Sequence, residues 1–157
     1  MQYDAPYAST YARSTLIGPR TEGVLGRRVL AYVVDLFVIT LLAALFGTLL
    51  AVASVVTFGL TLPLFAILWP ATAILYSAVS VGGSGTATFG MRIMGLSALD
   101  ASTGGRVGFL VAGVHALLFY VGIGTLLLLI LDVVIGFARS DRRLGHDLLA
   151  GIIVVLR

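Results

Sequence analysis

Three apolar runs dominate the chain, at 29–56, 60–81 and 107–138. A helix needs roughly 20 apolar residues to cross a bilayer. The first two runs therefore predict spanning helices over about 28–56 and 61–81. The connection between them, "TFGLTLP" (57–63), carries no charge. Pro70 falls midway along the second helix, where it removes one hydrogen bond, frees the Ala66 carbonyl and predicts a kink. The third run, Val107 to Ala138, would be roughly 48 Å long as a single helix. That is long for one crossing of a ~30 Å core and short for two. Gly122 and Gly124 in "YVGIGTL" (120–126) offer a break. Two shorter segments, about 107–120 and 123–138, the first shallow or re-entrant, are preferred to one long helix. A single crossing would carry Arg139, Arg142 and Arg143 to the side opposite the other arginines.

Between the second and third runs, residues 81–108 are glycine-rich, with a polar turn at "DASTGG". Arg92 to Leu99 reads as a short extended stretch. The C-terminal "GIIVVLR" is β-branched and too short to span. Pairing of 92–99 with 151–157 as a small cytoplasmic sheet is expected to close the base of the bundle. The fold class is thus an all-α polytopic membrane protein, a small helical bundle with one short β pairing.

Composition agrees: 59% of the 157 residues are hydrophobic, 11% are charged, and the mean hydropathy is +1.09. A soluble domain of this size needs more polar residues to cover its surface. Residues 1–24 differ, with Pro6, Pro19, Gly18 and Gly23 among scattered Ser and Thr. They read as a disordered tail ahead of a membrane domain at 25–157. Tyr3, Tyr7 and Tyr11 recur every four residues, but Pro6 interrupts that helical face. No apolar stretch of signal-peptide type is present in 1–26, so cleavage is not expected. The chain has no cysteine, which excludes disulfides and thiolate metal sites.

All ten basic residues are arginines, set against seven acids. They cluster at 13, 20, 27 and 28, at 92 and 106, and at 139, 142, 143 and 157, flanking the apolar runs. The positive-inside rule places these clusters and the N-terminus in the cytoplasm. Anionic lipid headgroups are the expected partners; nucleic acid is not.

The polar exceptions inside the apolar runs carry the candidate chemistry. Asp35 stands within "RRVLAYVVD" (27–35), about 10 Å along the helix from Arg28. That is too far for direct contact, while Arg28 is free to snorkel to the headgroups. An ionised carboxylate at this depth is unfavourable by about 2.5–3.5 kcal/mol without a partner. A positive companion to Asp35, whether proton, metal ion or guanidinium, is therefore expected. Asp132 in "LLLLILDVVIGFA" (126–138) reads the same way, with Arg139 two turns on as an ion-pair candidate. His115 shares a helix face with Phe119, and with Asp35 and Asp132 it is a candidate for proton or cation binding. Its alternative is a bond to a backbone carbonyl. His146 has no other ligand type near it in sequence, so no metal site is expected. No catalytic residue and no cofactor are expected. "GGSG" (82–85) has the form used by intramembrane serine proteases but no histidine obviously placed to activate Ser84, and no phosphate-cradling pattern occurs. Ala43, Ala44, Gly47, Ala51 and Ser54 form a small-residue stripe, either the seam with the second helix or a homodimer face.

The pattern "RRVLAYVVD" resembles the RDD family of bacterial membrane proteins, named for one arginine and two aspartates. Arg28 and Asp35 match its arginine and first aspartate, and Asp147 in "HDLLAG" (146–151) its second. "TATFGMRIMGL" (86–96) partly matches a central glycine-rich motif. The chain departs from the family at Thr86, Met91 and Ile152, where Gly, Lys and Thr are usual. The resemblance spans about 24–157. It implies a multi-pass protein of the bacterial cytoplasmic membrane, with transport of an ion or small ligand the commonly suggested role. The alternative is a non-catalytic scaffold or accessory subunit, with Arg28, Asp35 and Asp147 as a structural charge network. Asp147 also suits the N-cap of a short helix, or a pair with Arg28, Arg92 or another arginine. A chain this small is expected to act as a homo-oligomer or with a membrane-protein partner.

Overall fold

The computed structural model describes residues 20–157; the tyrosine repeat and most of the expected tail lie outside them. Helix α1 spans Val24–Val56, four residues earlier than the apolar run suggests, because Val24 is fully buried at the base. Residues 20–23 form a turn rather than a continuation of the tail. The Leu156 N–H donates to the Arg20 carbonyl at 2.8 Å, which ties this turn to the end of the chain.

A 3-10 turn at Leu62–Leu64 leads into α2, Phe65–Gly82. Pro70 lies inside α2 without ending it. These helices are long and apolar enough to cross a membrane. Their seam runs along part of the small-residue stripe. A Cβ on Gly47 would meet Leu68 of α2 at 3.3 Å, and Ala43 and Ser54 are buried on the same side. Ala44 and Ala51 are exposed. Other faces carry exposed Phe37, Leu41, Leu45 and Leu49, which in a bilayer meet lipid tails.

The third apolar run forms two helices, α4 (Phe109–Gly124) and α5 (Leu126–Ala138), bent 119° from one another. At 1.5 Å per residue they are roughly 24 and 20 Å long, each short of a full crossing. The break falls at Thr125, whose backbone is extended (φ −129°, ψ 104°), rather than at Gly122 or Gly124. Thr125 N–H still bonds back to Gly122, and its carbonyl starts α5 by accepting from Leu129 N–H. Both ends of this run lie at the base.

The base is built from short elements. Arg92 is helical, not extended: Thr88 Oγ1 accepts from Met91 N–H at 3.2 Å and caps α3, Phe89–Ile93. Gly95, at φ +68°, ends that turn. Strand β1 therefore begins only at Leu96 and runs to Asp100, pairing antiparallel with β2, Ile152–Leu156. Leu96 faces Leu156 and Asp100 faces Ile152. The apolar core sits here, with Val24, Ala31, Val81, Leu96, Ile152 and Val154 packed together. Helix α6, Gly145–Ala150, precedes β2. Two spanning helices, one folded-back pair and a two-stranded sheet make this a mostly helical membrane fold.

Candidate functional site

Asp35 is buried on α1, and its companions are not positive. Tyr76 of α2 donates its hydroxyl to Asp35 Oδ1 at 2.6 Å, and Thr88 donates to Oδ2 at 2.5 Å. The Gly90 N–H adds a third bond, to Oδ1 at 2.7 Å. Among the described residues no guanidinium meets Asp35, whose partners are three neutral donors from α2 and the start of α3. Glycine is required at 90, since a Cβ there would lie 2.1 Å from the Ala31 carbonyl oxygen. Only a bare backbone lets α3 come this close to α1. Tyr76 Oη also accepts from the Phe89 N–H at 3.0 Å.

The guanidinium appears elsewhere. Arg28 grips Asp147 with both arms, Nη1 to Oδ2 at 2.5 Å and Nη2 to Oδ1 at 2.8 Å. Arg28 and Asp147 are thus brought together, and Asp35 lies outside their network. Asp147 is fully buried. It stands inside α6 rather than at its N-cap, and its Oδ2 takes the Leu144 N–H at 2.9 Å, satisfying one of the free donors of a helix start. Burial alone would raise this carboxyl, but Arg28, with a further bond from His115, holds it well below the usual carboxylate range.

His115, on α4, bonds through Nε2 to Asp147 Oδ1 at 2.8 Å, not to a backbone carbonyl. Asp132, on α5, meets His146 rather than Arg139: the His146 Nδ1–H lies 2.8 and 3.0 Å from its oxygens, and the His146 N–H donates to Oδ1 at 2.7 Å. Arg139 instead pairs with Asp141. A Cβ on Gly145 would stand 3.0 Å from Asp132 Oδ1, so the lack of one lets α5 approach. His146 Nε2 lies 3.4 Å from Asp147 Oδ1 and 3.4 Å from Arg28 Nη2. The rings of His115 and His146 are 4.7 Å apart, and Phe119 covers His146 at 5.2 Å.

The expected trio of Asp35, Asp132 and His115 does not form. Asp132 and His115 are linked through His146 and Asp147 instead. His146, isolated in sequence, sits with His115 and Asp147 in a group whose ligand atoms lie within 4.8 Å of one another. That closeness in space, hidden by the separation in sequence, arises because α1, α4, α5 and α6 converge at the base. Tyr76, Thr88 and Gly90 were not legible as partners of Asp35. The one local signal was Thr88, a cap residue before "FGMRI". Ser84 is exposed in the turn after α2, and both histidines are engaged around Asp147.

No curated protein and no solved structure matches the chain. The model of the RDD family matches residues 23–151, a span that contains Arg28, Asp35 and Asp147 and all the elements that position them. The protein is a membrane protein of the RDD family.

Proposed function

We propose that this protein binds and translocates a small cation at the cluster of Asp132, His146, Asp147 and His115. It acts as an oligomer in a bacterial cytoplasmic membrane, with its base toward the cytoplasm. One observation carries the reading: two carboxylates and two imidazoles from α4, α5 and α6 converge under one arginine at the base, largely withdrawn from water. Gathering buried ionisable groups is costly even when they are paired, which makes the cluster a candidate site. Asp35 is a poorer candidate for the cation, because fixed neutral donors already fill both of its oxygens.

The orientation rests on charge. Arg20, Arg27, Arg28, Arg92, Arg142 and Arg157 stand at the base, while the turn between α1 and α2 carries none. The oligomer rests on size, since two long helices and a folded-back pair are little with which to enclose a path. The role is non-enzymatic. The test is a flux screen on protein reconstituted into vesicles, with gradients of H⁺, Na⁺, K⁺ and Zn²⁺ imposed in turn. At least one should move, and His146→Gln should stop it. Wild-type protein that moves none overturns the reading.

A second reading, a scaffold or accessory subunit, is favoured by a separate observation. Asp35 fastens the start of α3 to α1, and the Arg28–Asp147 pair fastens α6 to α1. Under that reading Asp147→Asn lowers abundance and there is no flux to lose.

A further inference from the structure

The geometry points to a site for a divalent transition metal, Zn²⁺ in particular, formed by His115 Nε2, His146 Nε2 and Asp147 Oδ1, with Arg28 as the resident cation that the metal displaces. This deepens the cation-handling reading by naming the cation class, and it concerns binding, which requires no flux.

The donor set suits zinc. Two imidazoles and a carboxylate, with one position left open, make a common three-ligand arrangement, and metal–ligand distances near 2.0–2.2 Å put tetrahedral ligand atoms about 3.3 Å apart. His146 Nε2 and Asp147 Oδ1 already stand at 3.4 Å. His115 Nε2 stands at 2.8 Å from that oxygen, and all three ligand atoms lie within 4.8 Å of one another, so closing on one ion takes side-chain adjustments of about an ångström or less.

The surroundings of His146 point the same way. Asp132 takes the Nδ1–H and the backbone N–H of His146, which fixes the ring and leaves the Nε2 lone pair to Arg28 Nη2, beside Asp147. A carboxylate behind a ligating histidine both sets the tautomer and raises the basicity of the metal-bound nitrogen. His115, which donates from Nε2 to Asp147, presents that nitrogen as a ligand once its proton resides on Nδ1, with no net change in charge. Four elements hold the set: α4 carries His115, α5 Asp132, α6 His146 and Asp147, and α1 Arg28.

Arg28 is the competitor. Its Nη2 lies 2.8 Å from Asp147 Oδ1 and 3.4 Å from His146 Nε2, so it stands at two of the three ligand atoms. A metal ion and a guanidinium repel each other at this range, so the two cations exclude one another. Arg28 sits one turn from the start of α1, and its side chain is 14% exposed. It has a route to the headgroups when displaced.

The experiment is equilibrium dialysis of the purified full chain in detergent against Zn²⁺ alone, with metal counted per protein, and against Co²⁺ with the visible spectrum recorded. One equivalent of Zn²⁺ should bind, and Co²⁺ should show the intense bands of a tetrahedral site. His115→Gln and His146→Gln should each abolish the binding, and Asp132→Asn should weaken it about 10–100-fold. Arg28→Gln should bind more tightly than wild type, and Zn²⁺ should restore its thermal midpoint by replacing the lost positive charge. Metal uptake that survives both histidine changes, or a six-coordinate cobalt spectrum, would overturn the site. If the histidine variants fail to fold, the wild-type spectrum and the rescue of Arg28→Gln decide the question. Bound Zn²⁺ without any flux would sink transport and keep the site, whereas flux of Na⁺ or K⁺ without Zn²⁺ binding would do the reverse.

Discussion

Asp35 and Asp147 are the two aspartates of the family pattern, and both are buried, yet their surroundings differ in kind. Around Asp35 the donors are a phenol, a hydroxyl and a backbone N–H, all neutral and all fixed by the elements that carry them. Around Asp147 there is a guanidinium, an imidazole and a helix-start N–H, with a second imidazole 3.4 Å away. Three oriented dipoles satisfy a buried carboxylate as well as one cation does, but they have nothing to exchange. The Asp147 site holds a full positive charge on a long side chain, next to two nitrogen bases. One acid is fastened by neutral donors, the other by a charged one; the proposed exchange of cations concerns only the second.

The comparison can be broken by substitution. The largest effect belongs to Asp147→Ala, which leaves Arg28 without its partner in a mostly buried seat. A loss of about 3–5 kcal/mol is expected, read as a steep fall in the temperature at which the detergent-solubilised protein loses its monodisperse peak. Next is Gly90→Ala. The new methyl would overlap the Ala31 carbonyl, forcing α3 away from α1 and loosening every donor to Asp35, at about 3 kcal/mol. Asp35→Asn should lose about 2 kcal/mol, because the amide keeps one acceptor oxygen but turns a donor toward a donor. If Asp35→Asn proved worse than Asp147→Ala, the ranking of the two sites would be inverted.

The smallest effect is the response to mild acid. The Asp147 carboxyl is held well below its ordinary value by Arg28 despite the opposing push of burial. A depressed folded pKa gives stability that is fully present above the unfolded value of about 3.9 and lost as pH falls through the folded one. The thermal midpoint should therefore stay level from about pH 7 to about pH 5 and drop only in stronger acid. A drop already near pH 6 would assign the response to the histidines instead.

Much of the fold was legible because its dominant force writes a simple pattern. Long apolar runs gave α1 and α2, and the β-branched C-terminus gave β2. What sequence did not reveal depends on contacts between distant segments. The partners of Asp35 lie 41 to 55 residues away, and that of His115 lies 32 away. The break at Thr125 rather than at a glycine follows from local backbone geometry, which hydropathy does not encode. Arg92 reads as extended until the Thr88 cap is recognised. Arg28 and Asp147 were legible through their motifs, but that His146 bridges Asp132 and Asp147 required the convergence of α5 and α6.

The most direct measurement pairs flux with stability on the same vesicle preparations for Asp35→Asn and His146→Gln. The account predicts that the His146 variant, compared at equal amounts of folded protein, loses cation flux, while the Asp35 variant loses stability and retains flux in proportion to the protein still folded. A His146 variant that transports normally, beside an Asp35 variant that is stable but silent, would contradict it.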